Sequence, residues 1–137
     1  MFKLTSLLLV ALVASKLAIA EGNISFSNAQ AAISYTKTNC IDQPNGIEQE
    51  KLLFTFTNKT NKNITISFER KAVYEKNGRA IPTSSDHSGY TIQLLPNQVI
   101  SGTCETKDNR LVLFSKQLNL VASQLQSFDI SNVKIEF

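Results

Sequence analysis

The chain has 137 residues, 42% of them apolar, with 14 basic and 11 acidic side chains, two cysteines, one histidine and no tryptophan. That length accommodates one hydrophobic core and leaves no room for two. The basic residues are scattered singly, which excludes the clustered cationic face that nucleic-acid binding requires.

Residues 1–20 have the layout of a secretory signal: Lys3, an apolar stretch over 7–14, then Ala18-Ile19-Ala20 as a small-x-small cleavage site. Lys16 interrupts the segment, whereas a spanning helix needs roughly 20 apolar residues. Glu21 stands where a lipid-anchored precursor needs cysteine. The expected organisation is a cleaved signal over 1–20 and one domain over 21–137, carrying 12 basic and 11 acidic residues and no transmembrane segment after cleavage.

Beyond the signal the dominant hydrophobic period is two, the period of strands with one face on a core. Ala31, Ile33 and Tyr35 share a face before Cys40, and Asn45-Gly46 marks a turn. Phe54 and Phe56 alternate with threonines, as Ile64, Ile66 and Phe68 alternate with polar residues. The all-polar stretch 58–63 between them predicts a hairpin with an exposed tip. Asn77-Gly78 is a second turn signal, followed by a long loop over 76–90. Tyr90, Ile92 and Leu94 form the next strand, and Ile100, Gly102 and Cys104 share a face after Pro96. The continuous apolar run 111–114 reads as a central strand buried on both sides, and 118–128 as a loop with one helical turn at most. The final strand alternates Phe128 and Ile130, then resumes out of phase with Val133, Ile135 and Phe137, which predicts a β-bulge at Ser131 and Asn132. Pro44, Pro82 and Pro96 all fall between predicted strands.

About seven short strands point to an all-β fold, a two-sheet antiparallel β-sandwich of immunoglobulin-like type, with a closed barrel as the alternative. The layout resembles the immunoglobulin architecture over most of the domain. In its signal, polar hairpin and aromatic last strand, the chain is similar to small immunoglobulin-like proteins exported by Gram-negative bacteria. The resemblance implies a fold and a place outside the cytoplasm, and no activity. The chain lacks the core tryptophan of antibody domains, and Tyr90 stands fourteen residues before Cys104, away from tyrosine-corner spacing. A terminal aromatic such as Phe137 also ends many outer-membrane barrel strands, but predicted strands of 5 to 8 residues fall short of the 9 to 11 needed to cross a bilayer.

Cys40 and Cys104 are the only cysteines, and an exported chain with an even count favours a disulfide. Closing a loop of 64 residues is worth about 4 kcal/mol in the chain-entropy description. No C-x-x-C pair or neighbouring histidine favours metal ligation or a reactive thiol. His87 is the one candidate base, and its hydroxyl-rich surroundings have the composition of an exposed loop. Asp42, Glu48 and Glu50 around Gly46 lack the alternating oxygen ligands of a calcium loop. No phosphate-binding, dinucleotide or nucleophile-elbow glycine pattern occurs. The expectation is therefore no catalytic residues, no cofactor and no metal. Sequons at Asn23, Asn58 and Asn63 have meaning only in a eukaryotic secretory pathway.

Binding remains. The loop over 76–90, with Arg79, Asp86, His87 and Tyr90, is one candidate surface. The last strand, with Val133, Ile135 and Phe137, is the other: it either fills the core or offers an edge for strand addition. The expected function is a non-enzymatic periplasmic or secreted interaction module with a protein partner in the cell envelope or extracellular space. The alternative is a small secreted hydrolase or hydrolase inhibitor using the 76–90 loop.

Overall fold

The structure, a computed structural model, describes residues 22–82, 89–120 and 123–137; the signal segment over 1–20 lies outside them. The described chain is all-β, with nine strands in place of the seven expected. They are β1 (Asn23–Ser27), β2 (Ala31–Asp42), β3 (Ile47–Asn58), β4 (Ile64–Lys76), β5 (Arg79–Pro82), β6 (Gly89–Leu94), β7 (Val99–Ser101), β8 (Val112–Gln117) and β9 (Gln124–Glu136). Every ladder is antiparallel. One sheet runs β1-β2-β3, with β7 and β8 sharing the far edge of β3; the other centres on β4, with β5 and β6 along one side and β9 along the other.

The two sheets face each other across one core. Ile33, Leu52, Phe54 and Phe56 project from the first, and Ile64, Ile66, Phe68, Ala72, Ile92 and Leu94 from the second. The rings of Phe56 and Phe68 meet across the gap with centroids 5.4 Å apart. Truncating such a ring costs about 3–5 kcal/mol, so this contact is a principal tie between the sheets.

Local chemistry accounts for the turns. Asn77 and Gly78 both have positive φ, 53° and 76°, the conformation of a type I′ turn whose twist matches a two-residue hairpin. A single 3-10 turn over Gln43–Asn45 joins β2 to β3 and closes on Gly46 at φ 64°. The bulge expected near Ser131 and Asn132 is present: the β4–β9 register slips between Ser67 and Glu69, and Asn132 takes φ 50°.

Several expectations require correction, among them that Pro82 falls between strands: it is the last residue of β5, opposite Val73. The 58–63 stretch is no hairpin; it carries the chain from one sheet to the other, β3 pairing with β2, β7 and β8 and β4 with β5, β6 and β9. Its first residue is not exposed either. Asn58 is 1% exposed, and its Nδ2 donates to the carbonyls of Lys62 and Leu95 while its Oδ1 accepts from the N–H and Oγ1 of Thr60. A single asparagine thus satisfies the crossing backbone that a ladder would otherwise satisfy. The apolar run 111–114 is not central but forms an edge with β8, whose ladder among the described strands is with β3 alone, and its inner face carries Leu111 and Leu113. The 118–128 segment is strand from Gln124 onward. Finally, β2, β3, β4 and β9 have 12 or 13 residues instead of 5 to 8, which the alternation understated because polar residues cap each strand's apolar stretch.

Candidate functional site

Both β7 and β8 run along the same edge of β3, and the ten residues between them leave the sheet at one point. There Phe54 donates its N–H to the Leu111 carbonyl, 2.8 Å, and accepts from the Gly102 N–H, 2.9 Å. Gly102 and Leu111 are so close that a Cβ at 102 would collide with the Leu111 carbonyl oxygen, so the loop's neck requires glycine. Residues 102–111 therefore form an Ω-type loop, compact and with adjoining ends.

Supports hold the loop to both sheets. On β2 and β3 the register pairs Ala31, Ile33 and Tyr35 with Asn58, Phe56 and Phe54 on the core side, which leaves Cys40, Gln49 and Lys51 on the outer face. The Cys40–Cys104 disulfide, Cα–Cα 5.4 Å, lies on that outer face. It staples the loop over β2 and β3 and does not join the two sheets. Lys51 Nζ donates to the Cys104 carbonyl at 3.2 Å, and Thr103 and Thr106 close a turn through Thr106 N–H to Thr103 O, 3.1 Å, and Thr103 N–H to Thr106 Oγ1, 2.8 Å.

The loop's second half reaches the other sheet. Arg110 grips Asp108 through Nε and Nη2, the latter at 2.6 Å, and donates Nη1 to the Thr91 carbonyl of β6 at 2.9 Å. These bonds hold the Asp108 carboxyl below the usual aspartate range and raise the Arg110 guanidinium above its own. Arg70 of β4, 3% exposed, donates Nη2 to the Asn109 carbonyl at 2.8 Å and lies against the rings of Phe54 and Tyr90, at 5.4 and 4.9 Å. Among the described residues its Nε and Nη1 have no hydrogen-bond partner. Cation–π contact is worth about 2 kcal/mol when desolvated, and two faces plus one carbonyl partly offset the cost of burying the charge.

Beside the stapled loop is a groove of about 870 Å³ between the tip of the β2–β3 hairpin and residues 104–107. Ile41, Pro44 and Ile47 supply its apolar wall, and Lys51, Asp42, Glu105 and Lys107 its charged rim. Ile41 is 57% exposed. On the segment after β8, Leu118 donates its N–H to Glu48 O at 2.8 Å, Asn119 reaches Gly46 O at 3.2 Å, and Leu120 is 68% exposed. Ile41, Ile47, Leu118 and Leu120 thus leave four large apolar side chains exposed around one end of the sandwich, Ile47 in the outer phase of β3 and Ile41 in the core-side phase of β2. No protein-family model, curated protein or solved structure matches this chain.

The residues singled out from the sequence are distributed differently. Arg79 stands exposed at the start of β5, just past the Asn77-Gly78 turn. Tyr90 is a packing residue of β6, half-buried, stacked on Phe68 at 5.4 Å and against Arg70. Asp86 and His87 lie outside the described residues. Val133 and Ile135 pack on the core from β9, whereas Phe137 is 68% exposed with Lys62 Nζ 5.8 Å from its ring. Among the described residues no three His, Cys, Asp or Glu side chains group as metal ligands, and no helix is long and apolar enough to cross a membrane. Arg70 had a visible signal, since it continues the inward phase of Ile64, Ile66 and Phe68. The partnership of Ile41 and Ile47 with Leu118 and Leu120 had none, because it depends on a long-range register.

Proposed function

We propose that this protein is a non-enzymatic interaction module working outside the cytoplasm, an accessory subunit of a cell-envelope or secreted assembly, and that it meets its protein partner through the end of the sandwich built by the β2–β3 hairpin and the stapled 102–111 loop. One observation carries the reading: Ile41, Ile47, Leu118 and Leu120 are exposed together on that end. Large apolar side chains exposed beside charged ones mark contact sites, and the neighbouring 102–111 loop is pre-organised by a disulfide, a salt bridge and contacts to both sheets, which lowers the entropy lost on binding. The signal-like segment over 1–20 and a disulfide, which persists in oxidising surroundings, support the compartment.

The test is affinity capture of tagged protein from its native envelope and secreted fractions after mild crosslinking, with an Ile41→Ser/Ile47→Ser variant run beside it. A stoichiometric partner retained by the wild type and lost by the variant is expected. A partner held equally by both, or turnover of a substrate that disappears in His87→Ala, contradicts the proposal.

A further inference from the structure

We infer that the segment after the β9 bulge, residues 133–137, is a self-pairing edge through which two copies of this chain associate about a two-fold axis. This surface is distinct from the stapled end, and the inference does not depend on what binds there.

β9 hydrogen-bonds to β4 on one side only; the far side of β4 is taken by β5 and β6, so β9 closes the sheet, and its outer row of N–H and C=O groups pairs with no other described strand. Such a row is a template for another strand. Two irregularities divide it, one where the register slips between Val73 and Tyr74, the other at Asn132. Because bulges interrupt regular pairing, the longer regular stretches of β9 are 127–131 and 133–136, with Phe137 directly after the second.

Antiparallel pairing of a stretch with its own copy places residues symmetrically about the central one, and the two stretches differ sharply in what this brings together. Centred on Asp129, the first sets Asp129 directly opposite Asp129 of the second copy, and like charges in that position repel. Centred on Ile135, the second sets Lys134 opposite Glu136 twice, Val133 opposite Phe137 twice, and Ile135 opposite itself. The faces agree as well: Val133 and Ile135 pack inward against the core while Lys134 and Glu136 point outward and are exposed. Opposed charges therefore pair on the wet face and apolar side chains on the inner one. The register also gives a covering to Phe137, which is 68% exposed in the single chain. Five residues a side make a small isologous interface, so the association is weak and reversible.

Sedimentation equilibrium of the purified protein over roughly 10 μM to 1 mM, the range in which so small an interface dissociates, tests this directly. A monomer–dimer equilibrium that weakens with salt is expected. Lys134→Glu and Glu136→Lys each turn two attractive pairs into repulsive ones and should raise the dissociation constant at least about tenfold. The double variant Lys134→Glu/Glu136→Lys rebuilds both pairs with the signs exchanged and should return to within about threefold of wild type. Both side chains are exposed, so unchanged thermal melting of the three variants confirms that the fold is intact. A protein monomeric throughout, a dimer indifferent to the single changes, or a double variant as weak as the singles overturns the inference.

Discussion

Replacing Asn58 by alanine should destabilise the domain by about 4 kcal/mol. The side chain makes four hydrogen bonds, at 2.7 and 2.8 Å to the carbonyls of Lys62 and Leu95 and at 2.9 and 2.7 Å from the N–H and hydroxyl of Thr60, inside a site 1% exposed. Each neutral bond is worth about 1 kcal/mol net, and a buried group stripped of its partner costs about 1–3 kcal/mol. The Lys62 carbonyl keeps a bond from Thr60 Oγ1 at 3.2 Å and the Leu95 carbonyl one from the Gln98 N–H at 3.0 Å, so neither is stripped and the loss is that of four bonds, near 4 kcal/mol. A loss of that size is a large part of the 5–15 kcal/mol typical of a domain. Urea unfolding provides the assay, read as a lower midpoint at unchanged slope, with Asn61→Ala as control because Asn61 is an exposed member of the same polar run. A loss under about 1 kcal/mol, or an equal loss in the control, would refute Asn58 as the node of the sheet crossing.

Further outcomes follow from the stapled loop. Denatured but unreduced protein should present no titratable thiol; two thiols would contradict the Cys40–Cys104 bridge. Cys40→Ser/Cys104→Ser should lose about 4 kcal/mol and melt about 10 °C lower or more. Asp108 should titrate below the usual aspartate range by NMR, owing first to its hydrogen bonds from the Arg110 side chain. A carboxyl held low stabilises the fold above the unfolded pKa of about 3.9 and loses that contribution as pH falls through the folded value. Asp108→Asn should therefore be less stable than wild type at neutral pH, with the gap closing in acid; the ion pair is solvent-accessible, so the gap is small and shrinks with salt.

The sequence patterning reveals which side of each strand faces the core, because that is a local property with period two. It placed Ile33, Phe54, Phe56, Ile66 and Phe68 inward, and the phase break after Ile130 located the bulge at Asn132. Alternation reports a strand's face but not its neighbour. Phe54-Thr-Phe and Ile64-Thr-Ile have the same pattern whether they lie side by side or in opposed sheets, and the polar run between them suits either turn. The decision rests on Asn58, whose burial depends on the distant Leu95 carbonyl. The same limit hides the candidate site. Gly102 and Leu111 look like ordinary positions nine apart until Phe54 bonds to both, and only then does the intervening segment become a loop lying across Cys40. Arg70 is the exception, a charged residue in a core phase, legible in the chain as an irregularity although its partner, the carbonyl of Asn109, is not.

The proposed contact surface is the end carrying Ile41, Ile47, Leu118 and Leu120. Site-specific photocrosslinking tests it most directly, with the reactive group placed in turn at Ile47, at Leu120 and, on the outer face of the opposite sheet, at Gln93. One stoichiometric partner crosslinked from Ile47 and Leu120 and none from Gln93 is the expected result. The same partner captured from Gln93 alone, or equally from all three positions, would contradict it.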